Sequence, residues 1–203
     1  MNPNLTQYWS HIASVARDSA RRVGAIFAGL EINSLLEGGE EEFDYVELKS
    51  TLRWCVKEGS KKEQLQDSVV KAVAGFLNAK RGSVFIGIED TKPTKTTIGI
   101  EADWNTFSNE CNRNKDGFDR HLRQLLGNKL RPLPCLPINI EYPPLHGHQV
   151  CRIVVAPAKE PVFIGKNQGE KLYVRDGRRT VELKGEHCVG YIKRRWPDFA
   201  PVR

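Results

Sequence analysis

From Glu42 to Asp90 the sequence reads strand, helix, strand, and this run constrains the fold more than any other part of the chain. Residues 43–49 (Phe-Asp-Tyr-Val-Glu-Leu-Lys) fit a strand that puts Val46 and Leu48 on one face and Glu47 and Lys49 on the other. Residues 62–78 carry Leu65, Val69, Ala72, Val73, Phe76 and Leu77 at helical spacing, so a strongly amphipathic helix is predicted there. Gly82 follows, where a left-handed residue can end a helix. Val84 to Ile88 is a nearly unbroken apolar run, as a central buried strand requires, and it delivers Glu89 and Asp90 at its C-terminal end. Open α/β sheets tend to place their chemistry at such ends. The spacing predicts a βαβ unit, with an antiparallel arrangement as the alternative.

The rest of the chain is arranged around this unit. Residues 5–30 predict an amphipathic helix whose stripe (Trp9, Ile12, Ala16, Ala20, Val23, Phe27, Leu30) can dock on the main domain or on a second copy. Glu37-Gly38-Gly39-Glu40-Glu41 reads as a linker, which divides the chain into a helical segment, 1–38, and a domain, 39–203. Residues 91–112 read as irregular, with a short strand over 97–100. A second helix is expected over 116–126, strands over 138–142 and 149–156, a hairpin from 162–164 and 171–175, and a last helix over 186–196.

Composition narrows the class. No apolar run approaches the roughly 20 residues that span a bilayer, so no membrane segment is expected. Residues 1–6 carry no charged stretch ahead of an apolar core, so no secretory signal is expected either. The five cysteines are odd in number and widely spaced, which suits reduced thiols in the cytoplasm. The net charge of +6 suits a polyanionic partner. Its distribution is uneven: residues 37–47 are acidic, whereas 53–62 and 175–195 are basic. That contrast makes sense if the acids hold a divalent cation and the bases hold a nucleic acid. Arg53, Lys57, Lys61, Lys62, Arg175, Arg178 and Arg179 are candidate phosphate contacts, each with solvated surface as its alternative. Trp54 and Tyr173 suit either base stacking or the core. His146 and His148 share a turn with no third metal ligand apparent. The sequence has neither the glycine-rich phosphate loop of an ATP site nor a nucleophile elbow.

Four elements in order carry a resemblance: Glu-x4-Glu-Leu-Lys at 42–49; the helix ending Phe76-Leu77-Asn78 before a glycine turn; Val-Phe-Ile-Gly-Ile-Glu-Asp at 84–90; and Pro161-Val162-Phe163 with Leu172-Tyr173-Val174-Arg175-Asp176-Gly177. Together they resemble the Schlafen AlbA-type domain over about residues 43–195. The resemblance implies an α/β (α+β) fold, with a mixed β-sheet, flanking helices and a nucleic-acid-binding role. Animal Schlafen proteins of this type cut transfer and ribosomal RNA with three acidic residues, and the matching positions are Glu42, Glu47 and Asp90. Such a set would hold Mg²⁺ or Mn²⁺, with Lys49 orienting the nucleophile or stabilising developing charge. The expectation is therefore a metal-dependent endoribonuclease acting on structured RNA such as tRNA. A non-catalytic DNA- or RNA-binding module of a regulator is the alternative. The chain differs from the Schlafen core in three ways. It has one lobe where that core closes two into a horseshoe, which points to a homodimer. It lacks a counterpart of the Schlafen zinc site. It carries Arg178-Arg179-Thr180 where Asn-Ser-Thr is often found.

Overall fold

In a computed structural model, which describes residues 44–91, 94–131, 136–165 and 169–200, the strand–helix–strand run is a βαβ unit. β1 (Val46–Lys49) pairs in parallel with β4 (Gly82–Ile86), Glu47 opposite Val84 and Lys49 opposite Ile86. Helix α1 (Glu63–Asn78) makes the crossover, preceded by a small antiparallel pair, β2 (Trp54–Cys55) and β3 (Ser60–Lys61). Then come β5 (Ile88–Thr91), β6 (Thr94–Thr97), α2 (Glu101–Trp104), a 3-10 turn (Glu110–Asn112), α3 (Lys115–Lys129) and β7 (Leu130–Arg131). The chain continues through β8 (Ile138–Glu141), β9 (Pro144–Leu145), β10 (His148–Gln149), β11 (Cys151–Val155) and β12 (Phe163–Ile164) to β13 (Lys171–Asp176), β14 (Arg179–Leu183) and α4 (Gly185–Arg195). All described residues belong to the part 39–203. The helix expected over 5–30, the linker and Glu42 lie outside them.

The first sheet is mixed, in the order β1-β4-β11-β8, with β4 parallel to β1 and antiparallel to β11. Flanked on both sides, β4 is buried along its whole length, as its apolar run requires. The second sheet is antiparallel throughout, in the order β14-β13-β12-β7. Helix α1 packs against β4 and β11 of one sheet and against β12, β13 and β14 of the other. Two partners explain why the helix is buried all round from Ala72 to Asn78, with Ala74, Gly75 and Asn78 joining the expected apolar stripe. Among the described residues no helix is long and apolar enough to cross a membrane.

The end of α1 is held by a polar staple. Asn78, with no exposed surface, donates through Nδ2 to the carbonyls of Val162 (2.7 Å) and Tyr173 (2.9 Å), and its Oδ1 accepts from the Val162 amide at 2.8 Å. The Asn78 carbonyl accepts from the Tyr191 hydroxyl at 2.7 Å, which ties α4 to the same point. Gly82 serves a different purpose from the left-handed cap expected of it. It lies in β4, and a Cβ there would stand 2.3 Å from the Phe76 ring, so glycine lets the helix end approach the strand.

Two segments depart from the sequence expectation. The run from Val84 to Ile88, expected as one strand, breaks at Gly87, whose φ is +101° and whose absent Cβ would meet the Gly99 backbone at 2.9 Å. The chain turns there, and β5 pairs with β6 in a separate hairpin. Residues 91–112, expected to be irregular with a strand over 97–100, contain β6 and α2. Helix α2 brings buried Asp103 to the loop after β1, where its carboxylate accepts from the amides of Leu52 (2.5 Å), Arg53 (2.9 Å) and Trp54 (2.9 Å). Those three donors satisfy a carboxylate that burial would otherwise penalise. Strand β14 was not anticipated, because Arg178-Arg179-Thr180 reads as a turn.

Candidate nucleic-acid interface

Alternation along β1 puts Glu47 and Lys49 on one face, and the structure brings them into contact: Lys49 Nζ lies 2.6 Å from Glu47 Oε1. The other carboxylate oxygen, Oε2, accepts from Arg175 Nη1 at 2.6 Å. Arg175 arrives from β13, where pairing with Thr180 of β14 sets its position. Its guanidinium also donates to Thr180 Oγ1 (3.3 Å) and to the Val46 carbonyl (3.4 Å), and it stacks over the Phe76 ring at 5.0 Å. The Arg175 side chain is only 6% exposed, and its Nε has no hydrogen-bond partner among the described residues.

These groups form one wall of a pocket of about 240 Å³ between β1, the first half of α1 and the β13–β14 hairpin. Lys49, Lys71, Arg175 and Arg178 line it, together with one carboxylate, Glu47. Gln64, Ser68 and Thr180 add neutral hydrogen-bonding groups. Four cations against one anion make this a place for an anion, and fixed guanidinium and hydroxyl donors suit a phosphate. Lys71, whose ammonium lies 5.6 Å over the Tyr173 ring, was not singled out from the sequence. The signal was present: Gln64, Ser68 and Lys71 stand at four- and three-residue spacing on the polar face of α1. The stripe continues to Gly75, where a Cβ would meet Thr180 at 3.0 Å, so glycine permits the close approach of β14.

The remaining expected residues lie elsewhere. Arg178 lines the pocket, whereas Arg179 is exposed on the turn, 3.8 Å from Asp176. Lys57 is 80% exposed and 3.7 Å from Glu89; Lys61 is exposed in β3, and Lys62 pairs with Glu58. Arg53 is not on the surface. It is buried under Phe107, 4.7 Å from the ring, and burial pulls its guanidinium pKa below the ordinary value while Asp103 opposes the shift. Tyr173 belongs to the core: its hydroxyl donates to Glu182 at 3.0 Å, and burial first, then that hydrogen bond, push its pKa up to about 12. Trp54 is half-buried. His146 of the turn contacts Thr97 Oγ1 through Nδ1 at 2.9 Å.

The expected three-carboxylate set is described only in part, since Glu42 lies outside the described residues. Asp90 is exposed in the β5–β6 hairpin beyond the Gly87 kink, opposite Lys95, and does not line the pocket at Glu47. Among the described residues no group of three or more His, Cys, Asp and Glu side chains could hold a metal ion. Glu47 engages a cation with each oxygen, so a divalent ion at this carboxylate would face Lys49 and Arg175 as neighbours. Among the described residues Glu47 is the one carboxylate that lines the pocket.

Comparison with known proteins bears on the family and the fold. A family model described as Schlafen, AlbA_2 matches residues 42–184. No curated protein matches the chain. Among solved structures, the DIP2311 protein from Corynebacterium diphtheriae is similar over 87% of this chain, with 20% identity and a TM-score of 0.52. This chain spans 29% of that protein's length, and the likeness concerns the fold alone. The N-terminal domain of a RecG-related protein from Nitrosomonas europaea is a more distant likeness, with 15% identity and a TM-score of 0.47 over 79% of this chain and 97% of its own.

Proposed function

The chain belongs to the Schlafen AlbA_2 family, and from that premise we propose that it is a nucleic-acid-binding protein that seats a backbone phosphate in the pocket beside Glu47. The observation that carries this reading is the charge of the pocket: Lys49, Lys71, Arg175 and Arg178 against Glu47 alone. Cations released from the polymer backbone supply much of the affinity of such a site. Arg179, Lys57, Lys61 and Lys62 are further cations outside the pocket, with Lys57, Lys62 and Arg179 beside Glu89, Glu58 and Asp176. Structured RNA such as tRNA is the favoured polymer, on the family resemblance. Residence in the cytoplasm and pairing of two copies belong to the same reading, and sedimentation at micromolar concentration tests the pairing.

The test is a binding titration with tRNA across a salt series. The logarithm of affinity should fall linearly with the logarithm of salt concentration. Lys71→Ala should weaken binding to every polymer and flatten the slope by roughly one unit. Arg123→Ala, on α3 and paired with Asp119 at 2.7 Å, should change neither. A Lys71→Ala slope equal to that of wild type would remove the pocket from the interface.

A second reading is phosphodiester cleavage by Glu42, Glu47 and Asp90 with Mg²⁺ or Mn²⁺. The position of Glu47 and Lys49 on the wall of a phosphate-sized pocket favours it. It requires Glu47 to exchange Arg175 or Lys49 for a metal ion, and Asp90, which stands in the β5–β6 hairpin outside the pocket, to approach it. A cleavage gel with Mg²⁺, with Mn²⁺ and with chelator tests it, and intact RNA in every lane would leave the binding reading alone.

A further inference from the structure

Arg175 lines two cavities. One is the basic pocket beside Glu47; the other is a groove of about 1020 Å³ on its other flank. The second is apolar in character, walled by Phe76, Val174, Leu183, Tyr45 and Tyr191. Lys80, Arg81 and Arg195 join Arg175 in lining it, against the carboxylates of Asp44 and Asp176, so its surroundings are cationic on balance.

Tyr45 is the unusual member. It is 44% exposed, one of three large hydrophobic residues exposed among those described, and it immediately precedes β1. Two residues on come Glu47, in the phosphate pocket, and then Lys49. Tyr45 ends a 3-10 turn at the entry to β1, two residues ahead of Glu47 in the chain. The aromatic groove and the anion pocket are therefore neighbours joined through Arg175, with an exposed ring on the groove side. Tyr191 is held in place from behind: its hydroxyl donates to the Asn78 carbonyl at 2.7 Å, and its ring meets Trp196 edge-on at 6.1 Å.

Resting on the phosphate reading above, we propose that the groove receives unpaired bases of a single-stranded segment whose backbone phosphate occupies the pocket, with Tyr45 as the stacking platform. An apolar groove with aromatic walls next to an anion site matches the two halves of a nucleotide. A paired base inside a duplex turns both faces to its neighbours and cannot enter, whereas an unpaired base offers a π-face. The cations around the groove match the phosphates on either side of the seated bases. The proposal thus selects the class of nucleic acid: single strands, or the loops and ends of structured RNA.

The test uses the whole chain and three fluorescent probes: a single-stranded RNA, the same strand carrying abasic sites, and its duplex. Wild type should bind the single strand about tenfold more tightly than either of the others at equal salt. Tyr45→Ala should lose about tenfold on the single strand and little on the abasic strand or the duplex, while Tyr45→Phe keeps the wild-type preference. Because Tyr45 is exposed, both variants should melt as wild type does; Leu183→Asn, a neutral change at the groove wall, supplies a second variant with the same selective loss. The proposal is overturned if the abasic strand binds as tightly as the intact one, or if Tyr45→Ala changes all three probes alike. If binding is salt-dependent and lost in Lys71→Ala without any base dependence, the phosphate reading stands and this proposal alone fails. Absence of binding to every probe overturns both.

Discussion

Arg175 donates to Glu47 at 2.6 Å across 128 residues of sequence, joining the second sheet to the first at the wall of the anion pocket. The pair holds a guanidinium that is almost fully buried, and Lys49 occupies the remaining oxygen of the same carboxylate. Glu47 is thus the counter-ion that allows cations to gather where a phosphate can bind.

Glu47→Gln separates this arrangement from a metal site. Removing the carboxylate leaves buried Arg175 without its charge partner, so stability should fall, on the order of 2 kcal/mol for a pair that is only partly shielded from water. Affinity for polynucleotides should rise, since the pocket loses its one negative charge. Urea denaturation and a binding titration on the same preparation check both signs. A stable variant that no longer cuts RNA in Mg²⁺ would instead speak for Glu47 as a metal ligand.

Asn78→Leu tests the staple at the end of α1. Leucine preserves bulk but leaves the carbonyls of Val162 and Tyr173 and the Val162 amide without the partner they have now. A loss of about 2–4 kcal/mol is expected, from buried polar groups left unsatisfied. Equilibrium unfolding should show a lower midpoint. A change of under about 0.5 kcal/mol, the range of ordinary surface substitutions, would mean that these groups find other partners.

Gly82→Ala and Gly87→Ala probe two different demands. At Gly82 the new methyl would overlap the Phe76 ring, and at Gly87 it would meet the Gly99 backbone in a conformation that alanine disfavours. Each should cost about 1–3 kcal/mol through overpacking or backbone strain. Phe76→Leu should rescue Gly82→Ala and leave Gly87→Ala unchanged in a melting series. Failure of that selective rescue would place the conflict elsewhere.

His121 makes stability depend on pH. Its Nε2 is buried with no hydrogen-bond partner among the described residues, and its ring meets Phe107 edge-on at 5.4 Å. Burial first, and the nearby Arg53 second, hold its pKa below the ordinary value. The unfolded chain takes up a proton near pH 6.5 that the folded chain refuses, so stability is lost as pH falls from about 6.5 toward the lower folded value. In His121→Phe the drop in Tm between about pH 7.5 and about pH 5.5 should shrink. An unchanged drop would assign the pH dependence to other groups.

The local chemistry of the sequence determined the strand–helix–strand order of the βαβ unit, the extent of α1, the centre of α3, the β12–β13 hairpin and the shared face of Glu47 and Lys49. Period-two and period-3.6 patterns act over a few residues, and one buried face suffices to express them. Only the tertiary structure decided the rest. That Arg175 and Arg178 face Lys71 depends on α1 lying between two sheets, which no local pattern encodes. Arg53 looked like one more basic residue until Asp103, fifty positions later, drew its loop inward. Asp90 looked like the end of a central strand until Gly87 met Gly99 and turned the chain away. A charge's role is set by the dielectric and the partners around it, and those come from segments distant in sequence.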